Sequence, residues 1–214
     1  DRAVARGLAA RELTVPAHVG VDEKAAGRGQ DYITVVSDLD TGTVAYLADE
    51  RRQVSLDGYF DQFTPEQLAG VQAVAMDMWE PYVQATREAV PLAHDKIVFD
   101  RYHLMGYLTK AVDTVRKTEN RALTSVGDKT LAGSKYLWLY SAENLPERHA
   151  QRFGTLRGAD LKTGRAWAIK ENLRHFWTYR RRAWAQKHFN RWYFWATHSR
   201  LKPIIDAAKT LKRH

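Results

Sequence analysis

Apolar residues gather in three short runs near the start of the chain. They read His18-Val19-Gly20-Val21-Asp22-Glu23, then Asp31-Tyr32-Ile33-Thr34-Val35-Val36-Ser37-Asp38, then Val44-Ala45-Tyr46-Leu47. A Gly/Lys/Arg-rich turn separates the first two, and Asp40-Thr41-Gly42 separates the second from the third. Runs rich in Val, Ile, Tyr and Thr, punctuated by Gly and Asp, predict three strands joined by hairpins. Ahead of them, Val4, Leu8 and Leu13 sit at roughly helical spacing, and Pro16 ends that segment. Behind them, Leu56, Tyr59, Phe60 and Phe63 share one face of a short amphipathic helix over 55–63. Thr64-Pro65 opens the next helix, with Thr64 as N-cap and Pro65 at the first helical position.

The pattern then changes to strand, helix, strand. Val71-Gln72-Ala73-Val74-Ala75-Met76 is a largely apolar strand closing on Asp77, Pro81 opens a helix to about Ala89, and residues 94–100 form a second strand closing on Asp100. One helix between two strands is the spacing of a parallel pair. The first half therefore predicts an α/β fold with a mixed sheet of about five strands. Asp22, Asp77 and Asp100 each fall at the C-terminal end of one of them. Sites in open α/β sheets gather at those ends. A carboxylate at the end of a buried strand costs desolvation unless it has a partner or a metal. Three such residues point to a shared cation site, and a turn or capping role is the plain alternative for each.

From Arg101 onward the periodicity is helical. Leu104, Leu108, Ala111, Val112 and Val115 predict a helix over 101–125, and Gly127, Gly133 and Ser134 mark a loop. Residues 136–140 are apolar and aromatic, of open type. A short helix follows from Pro146 to about Leu156, then a longer helical tract over 161–197, and Pro203 starts a last helix. Trp177, Trp184, Trp192 and Trp195 fit one stripe of that tract and read as core. Arg180, Arg181 and Arg182 read as contacts for backbone phosphate.

Charge sharpens the division into residues 1–100 and 101–214. The net charge of +8 hides an acidic first half, with 9 Lys/Arg against 17 Asp/Glu, and a basic second half, with 24 against 8. The basic half suggests a polyanion partner, most plausibly nucleic acid. The chain has no Cys, which excludes disulfide scaffolds and thiolate metal sites and suits a cytosolic setting. No apolar run is long enough to span a bilayer, and the opening residues lack the apolar core of a signal peptide. With Asp rather than Met in first place, the chain reads as a fragment.

Paired aspartates at strand ends can share Mg²⁺, which prefers hard oxygen ligands, and two such ions serve phosphodiester chemistry. Three stretches also carry a family likeness: Gly20-Val21-Asp22-Glu23-Lys24 with 32–42, Ala75-Met76-Asp77-Met78-Trp79-Glu80-Pro81-Tyr82, and Lys96-Ile97-Val98-Phe99-Asp100-Arg101-Tyr102-His103-Leu104. In these, from about residue 14 to the C-terminus, the chain resembles the catalytic domain of bacterial DDE-type transposases of the ISL-three insertion-sequence family. The resemblance implies an RNase H-like fold with a large basic helical insertion. It matches Asp22 and Asp77 to the first two catalytic and metal-holding aspartates, with Mg²⁺ or Mn²⁺, two ions, as cofactor. Asp100 matches a non-catalytic position, where it would cap the helix that begins at Arg101. The implied activity is cleavage and strand transfer at transposon ends. The implied partners are DNA and further copies of the chain, in a bacterial cytoplasm beside the nucleoid. Arg101, His103 and Lys110, with Arg180–Arg182, are the candidate DNA contacts; His103 and His94 lie near the proposed site, with a surface or capping role as the alternative.

The family's third carboxylate, a Glu on a helix after the insertion, is not found before His214. Glu171 stands in the wrong context for it. The resemblance thus implies a central piece of a transposase, inactive by itself. The rival reading is a non-catalytic DNA-binding remnant that keeps the basic helices without the chemistry. A metal-dependent nuclease of the same fold class is a third.

Overall fold

The computed structural model describes residues 13–25, 27 and 32–214, and the chain divides into two compact units, 1–100 and 101–214. The helical spacing of Val4 and Leu8, the Gly/Arg-rich turn around 28–31 and the start of the second strand at Asp31 lie outside the described residues.

The first unit is built on a mixed five-stranded sheet, giving the α/β class. Its strands are β1 (His18–Ala25), β2 (Tyr32–Asp38), β3 (Thr43–Asp49), β4 (Ala73–Met76) and β5 (Ile97–Phe99), in the order β3-β2-β1-β4-β5. β1, β2 and β3 pair antiparallel, whereas β4 pairs parallel with both β1 and β5. At the β2–β3 hairpin the Asp38 carboxylate accepts the amides of Asp40 and Thr41, and Gly42 supplies the left-handed residue at φ 72°.

Helices α1 (Gln53–Phe60), α2 (Pro65–Ala69), α3 (Glu80–Ala89) and α4 (Ala93–Lys96) complete this unit. Thr64 and Gln67 form a full capping box around α2, as the Thr64-Pro65 start predicts. Alternate residues of the strands face one core. Val19 and Val21 of β1, Val36 of β2, and Val74 and Met76 of β4 are buried with Leu56, Tyr59 and Phe60 of α1 and Tyr82 and Val83 of α3.

Two expectations are corrected here. Residues 94–96 are not strand: they close the turn α4, which leaves β5 only three residues long. Leu92, at φ 58°, forces this turn before the extended chain can begin. Asp22 also does not end its strand, because β1 runs on to Ala25, paired with β2.

The second unit is helical. Its elements are α5 (Arg101–Ser125), α6 (Lys135–Leu139), α7 (Glu147–Gly158), α8 (Lys162–Leu173), α9 (Arg182–Thr197) and α10 (Lys202–Arg213), with 3-10 turns at Ala142–Asn144 and Arg174–Thr178. α5 packs along α8 and α10 through Leu108, Ala111, Val112 and Val115. The tract expected to be one helix over 161–197 is broken between Leu173 and Arg182. The break divides the expected tryptophan stripe. Trp192 is buried, but Trp184 and Trp195 are 54% and 42% exposed, and Trp177 lies outside α9.

Two polar devices hold this unit together. Glu119, on α5, accepts the amides of Lys162 and Thr163 and the Thr163 hydroxyl, at 2.6–2.7 Å, and so caps the N-terminus of α8 from a neighbouring helix. Lys170, only 2% exposed, turns its ammonium toward the carbonyls of Trp138, Leu139 and Tyr140, the unpaired C-terminal carbonyls of α6. Among the described residues no helix is long and apolar enough to cross a membrane.

Candidate active site

The register of the sheet brings the aspartates together. β1 and β4 pair His18 with Ala73 and Gly20 with Ala75, a register that, carried two residues further, sets Asp22 level with Asp77. β4 and β5 pair Met76 with Phe99, which sets Asp77 beside Asp100 one residue on. The Asp100 amide donates to the Met76 carbonyl at 2.8 Å and extends the ladder to that point. Asp22, Asp77 and Asp100 thus form a row across three strands. Asp22 has the parity of Gly20, away from the valine core, whereas Asp77, one residue past β4, is joined through Arg51 to Glu23, which has the parity of Val19 and Val21. Neighbouring strands lie about 4.8 Å apart, close enough for two carboxylates to share one cation.

The environments differ. Asp22 is exposed, and its carboxylate accepts the amide of the next residue, Glu23, at 2.8 Å. Asp77 has a side chain 15% exposed. It accepts the Trp79 amide at 3.0 Å on one oxygen and the Arg51 guanidinium at 2.8 Å on the other. Arg51 also meets Glu23 at 2.5 Å and lies 4.5 Å from the centre of the Trp79 ring. A guanidinium so bracketed by two carboxylates and an aromatic face occupies the position of a cation at this end of the sheet.

Arg51 is aimed there by its own turn. Glu50 before it adopts φ 68°, unusual for a residue with a Cβ. Its carbonyl is held by the hydroxyls of Thr34 at 2.7 Å and Ser55 at 3.2 Å. Thr34 gives its one proton to Glu50, so the buried Tyr82 hydroxyl, 2.8 Å away, donates to Thr34. Burial raises the Tyr82 pKa above its ordinary value and keeps that proton in place. Arg51 and Glu23 are the residues that sequence reasoning missed. Their only signal was position: Glu23 follows Asp22, and Arg51-Arg52 follow the third strand in an otherwise acidic half.

The other candidates divide as follows. His103 and Lys110 lie two helical turns apart on α5 and line one open groove of about 740 Å³ with Tyr102, Tyr107, Asp113 and Leu139. Arg101 does not line it; its guanidinium sits 5.0 Å over the Trp177 ring. Arg180 and Arg181 are exposed in the link before α9, and Arg182 is the first residue of that helix. His94 pairs with Asp95 on exposed α4. Glu171 is committed to scaffold: its carboxylate accepts the Ala142 amide at 2.9 Å and pairs with Lys170 at 3.2 Å.

A divalent metal would find hard oxygen donors at Asp22 and Asp77, which fits Mg²⁺ or Mn²⁺ in kind. Among the described residues no three His, Asp or Glu side chains converge as metal ligands. A cation arriving at Asp77 therefore has to compete with Arg51.

Comparison with known proteins identifies the family. Residues 19–214 match the model of a family described as transposase, of the DDE type and ISL3 group. The chain is 28% identical over 198 residues to the transposase for insertion sequence element IS1001 of Bordetella parapertussis, covering 91% of this chain and 48% of that protein. It is 26% identical over 219 residues to the transposase for insertion sequence element IS1557 of Mycobacterium tuberculosis, covering 92% of this chain and 49% of that protein. The chain thus spans about half the length of the curated relatives it matches. No solved structure matches. With the family match reaching across both units, the chain belongs to the ISL3 group of DDE transposases.

Proposed function

We propose that residues 1–100 are the first part of an RNase H-like catalytic core and that residues 101–214 are the basic helical insertion of a transposase. Five strands in the order β3-β2-β1-β4-β5, antiparallel in the first three and parallel in the rest, support the core reading. The observation that carries the proposal is the parallel register of β1 and β4, which sets Asp22 level with Asp77. These two carboxylates would hold the divalent ions. When bound, the ions supply an activated oxygen nucleophile and stabilise the leaving oxygen at a transposon-end phosphodiester.

The chain's own residues prepare that site. Arg51 and the Trp79 amide fix the Asp77 carboxylate, and Asp22, exposed, completes the pair. Arg101, His103, Lys110 and Arg180–Arg182 contact DNA phosphates, giving affinity without sequence choice. Cleavage and strand transfer in the whole protein need a third carboxylate. They would run on paired ends in an oligomer, in the bacterial cytoplasm at the nucleoid.

The rival reading is a DNA-binding piece without chemistry. It is favoured by the guanidinium seated on Asp77 and by the lack, among the described residues, of a three-ligand cluster. Thermal unfolding with increasing Mn²⁺ separates the two. The transposase-core reading expects the wild type to gain several degrees at a hundredfold excess over Kd, the equivalent of about 2.7 kcal/mol. It expects the gain to vanish in both Asp22→Asn and Asp77→Asn. An equal gain in wild type and both variants, or none in any, overturns it.

A further inference from the structure

The two tryptophans that the fold leaves outside the core mark a surface. α9 carries Trp184, Lys187, Arg191, Phe194 and Trp195, followed by its C-cap His198, at spacings that set them on one side of the helix. The opposite side is the packed one: Trp192 and Ala196 are buried, and the Trp192 indole donates to the Ile169 carbonyl at 2.8 Å. Trp184 is 54% exposed, Phe194 63% and Trp195 42%. The Lys187 ammonium lies 5.4 Å from the centre of the Trp184 ring, and the Phe194 and His198 rings stack with centres 3.9 Å apart.

Charge says what this face would meet. Between Glu171 and Asp206 the sequence contains no acidic residue, whereas Arg174, Arg180, Arg181, Arg182, Lys187, Arg191, Arg200 and Lys202 fall in the same interval. Arg174 and Lys202 pair with acids elsewhere, but the face itself carries Lys187 and Arg191 with no carboxylate in its helix, and that sign attracts a polyanion. Phosphate contact alone explains the cations and not the rings. A duplex hides the faces of its bases, whereas unpaired bases present them, and a flat ring flanked by cations is the arrangement that takes a base and its phosphate together. Trp184 and Trp195 are eleven residues apart, about 16 Å along the helix, so each would serve a different nucleotide.

We propose that this face of α9 binds single-stranded DNA, with bases stacked on Trp184 and Trp195 and phosphates on Lys187 and Arg191. The inference goes beyond the metal-site reading and does not need it.

The test is fluorescence anisotropy of a labelled 20-mer of oligo(dT), a duplex of equal length and an abasic 20-mer. It uses the full chain in EDTA at one fixed salt concentration. Trp184→Ala and Trp195→Ala each weaken oligo(dT) binding by about tenfold. Duplex and abasic binding stay within about twofold, because they rest on phosphate. Trp184→Phe keeps a ring and retains most of the oligo(dT) affinity, which separates stacking from loss of folding. Arg191→Ala weakens all three probes and lowers the salt slope by about one. Equal losses on oligo(dT), duplex and abasic probes overturn the proposal, and so does unchanged oligo(dT) binding in the two alanine variants. A change of sedimentation from oligomer to monomer in those variants also overturns it, by showing that the face joins copies of the chain. Because the assay is run in EDTA, without metal, failure of the metal-site reading leaves this result unaffected.

Discussion

Each unit contains a cation set between carboxylate and tryptophan, and the two differ in how much of their bonding capacity is spent. In the helical unit, Lys170 meets three carbonyls and Glu171, with the Trp167 ring centre 5.9 Å away. Glu171 is tied in turn to the Ala142 amide. Every partner is local scaffold, and the lysine is buried. In the sheet unit, Arg51 joins Glu23 and Asp77 over Trp79, but its side chain is 28% exposed. The first cluster is a cap; the second is the one we propose as a site. Composition does not separate them; the distribution of partners does.

Removing the charge from the closed cluster should therefore cost most. Lys170→Met strips the ammonium from the Trp138 and Leu139 carbonyls and from Glu171, which keeps the Ala142 amide, while Tyr140 keeps the Trp167 indole, and urea unfolding should show a loss of about 3 kcal/mol. If the loss is under about 1 kcal/mol, the lysine is not the cap described here. The same residue offers a pH signature. Burial lowers the Lys170 pKa, partly opposed by Glu171. The folded state therefore sheds its proton before the unfolded state does. The wild type should gain stability relative to Lys170→Met as pH rises from that lowered value toward the ordinary lysine value of about 10.4.

Glu119→Ala comes next. It deletes the carboxylate that accepts two amides and a hydroxyl at the start of α8, and about 2 kcal/mol should be lost. In the open cluster, Asp77→Asn should cost only about 1 kcal/mol. The amide oxygen still accepts from Trp79, and Arg51 keeps Glu23. A loss as large as that of Lys170→Met would make the two clusters alike and remove the distinction.

Much of the sheet unit was legible in the sequence because its signals are local. The Asp40-Thr41-Gly42 hairpin, the Thr64-Pro65 start and the strand–helix–strand spacing around Pro81 each act within a few residues. Asp77 follows its strand as expected, whereas Asp22, singled out on the same ground, lies inside β1. That the two lie level came only from the register. The role of Arg51 was not legible, because it depends on a left-handed Glu50 held by Thr34 and Ser55 from other elements. The expected strand at 94–96 failed for the same kind of reason: Leu92 turns the chain before β5 begins. The tryptophan stripe was read as core because spacing shows that residues share a face without showing which face is covered. The break between Leu173 and Arg182 rotated that assignment.

The central claim is that Arg51 holds at Asp77 the place a divalent cation would take. Electron paramagnetic resonance of free Mn²⁺, titrated into wild type, Arg51→Ala and Arg51→Ala/Asp77→Asn, tests it directly. The account predicts binding about tenfold tighter in Arg51→Ala than in wild type, since a competing charge worth about 1.4 kcal/mol has gone, and a return to wild-type affinity or weaker in the double variant. Binding in Arg51→Ala equal to or weaker than wild type, or tight binding that survives the loss of Asp77, would contradict it.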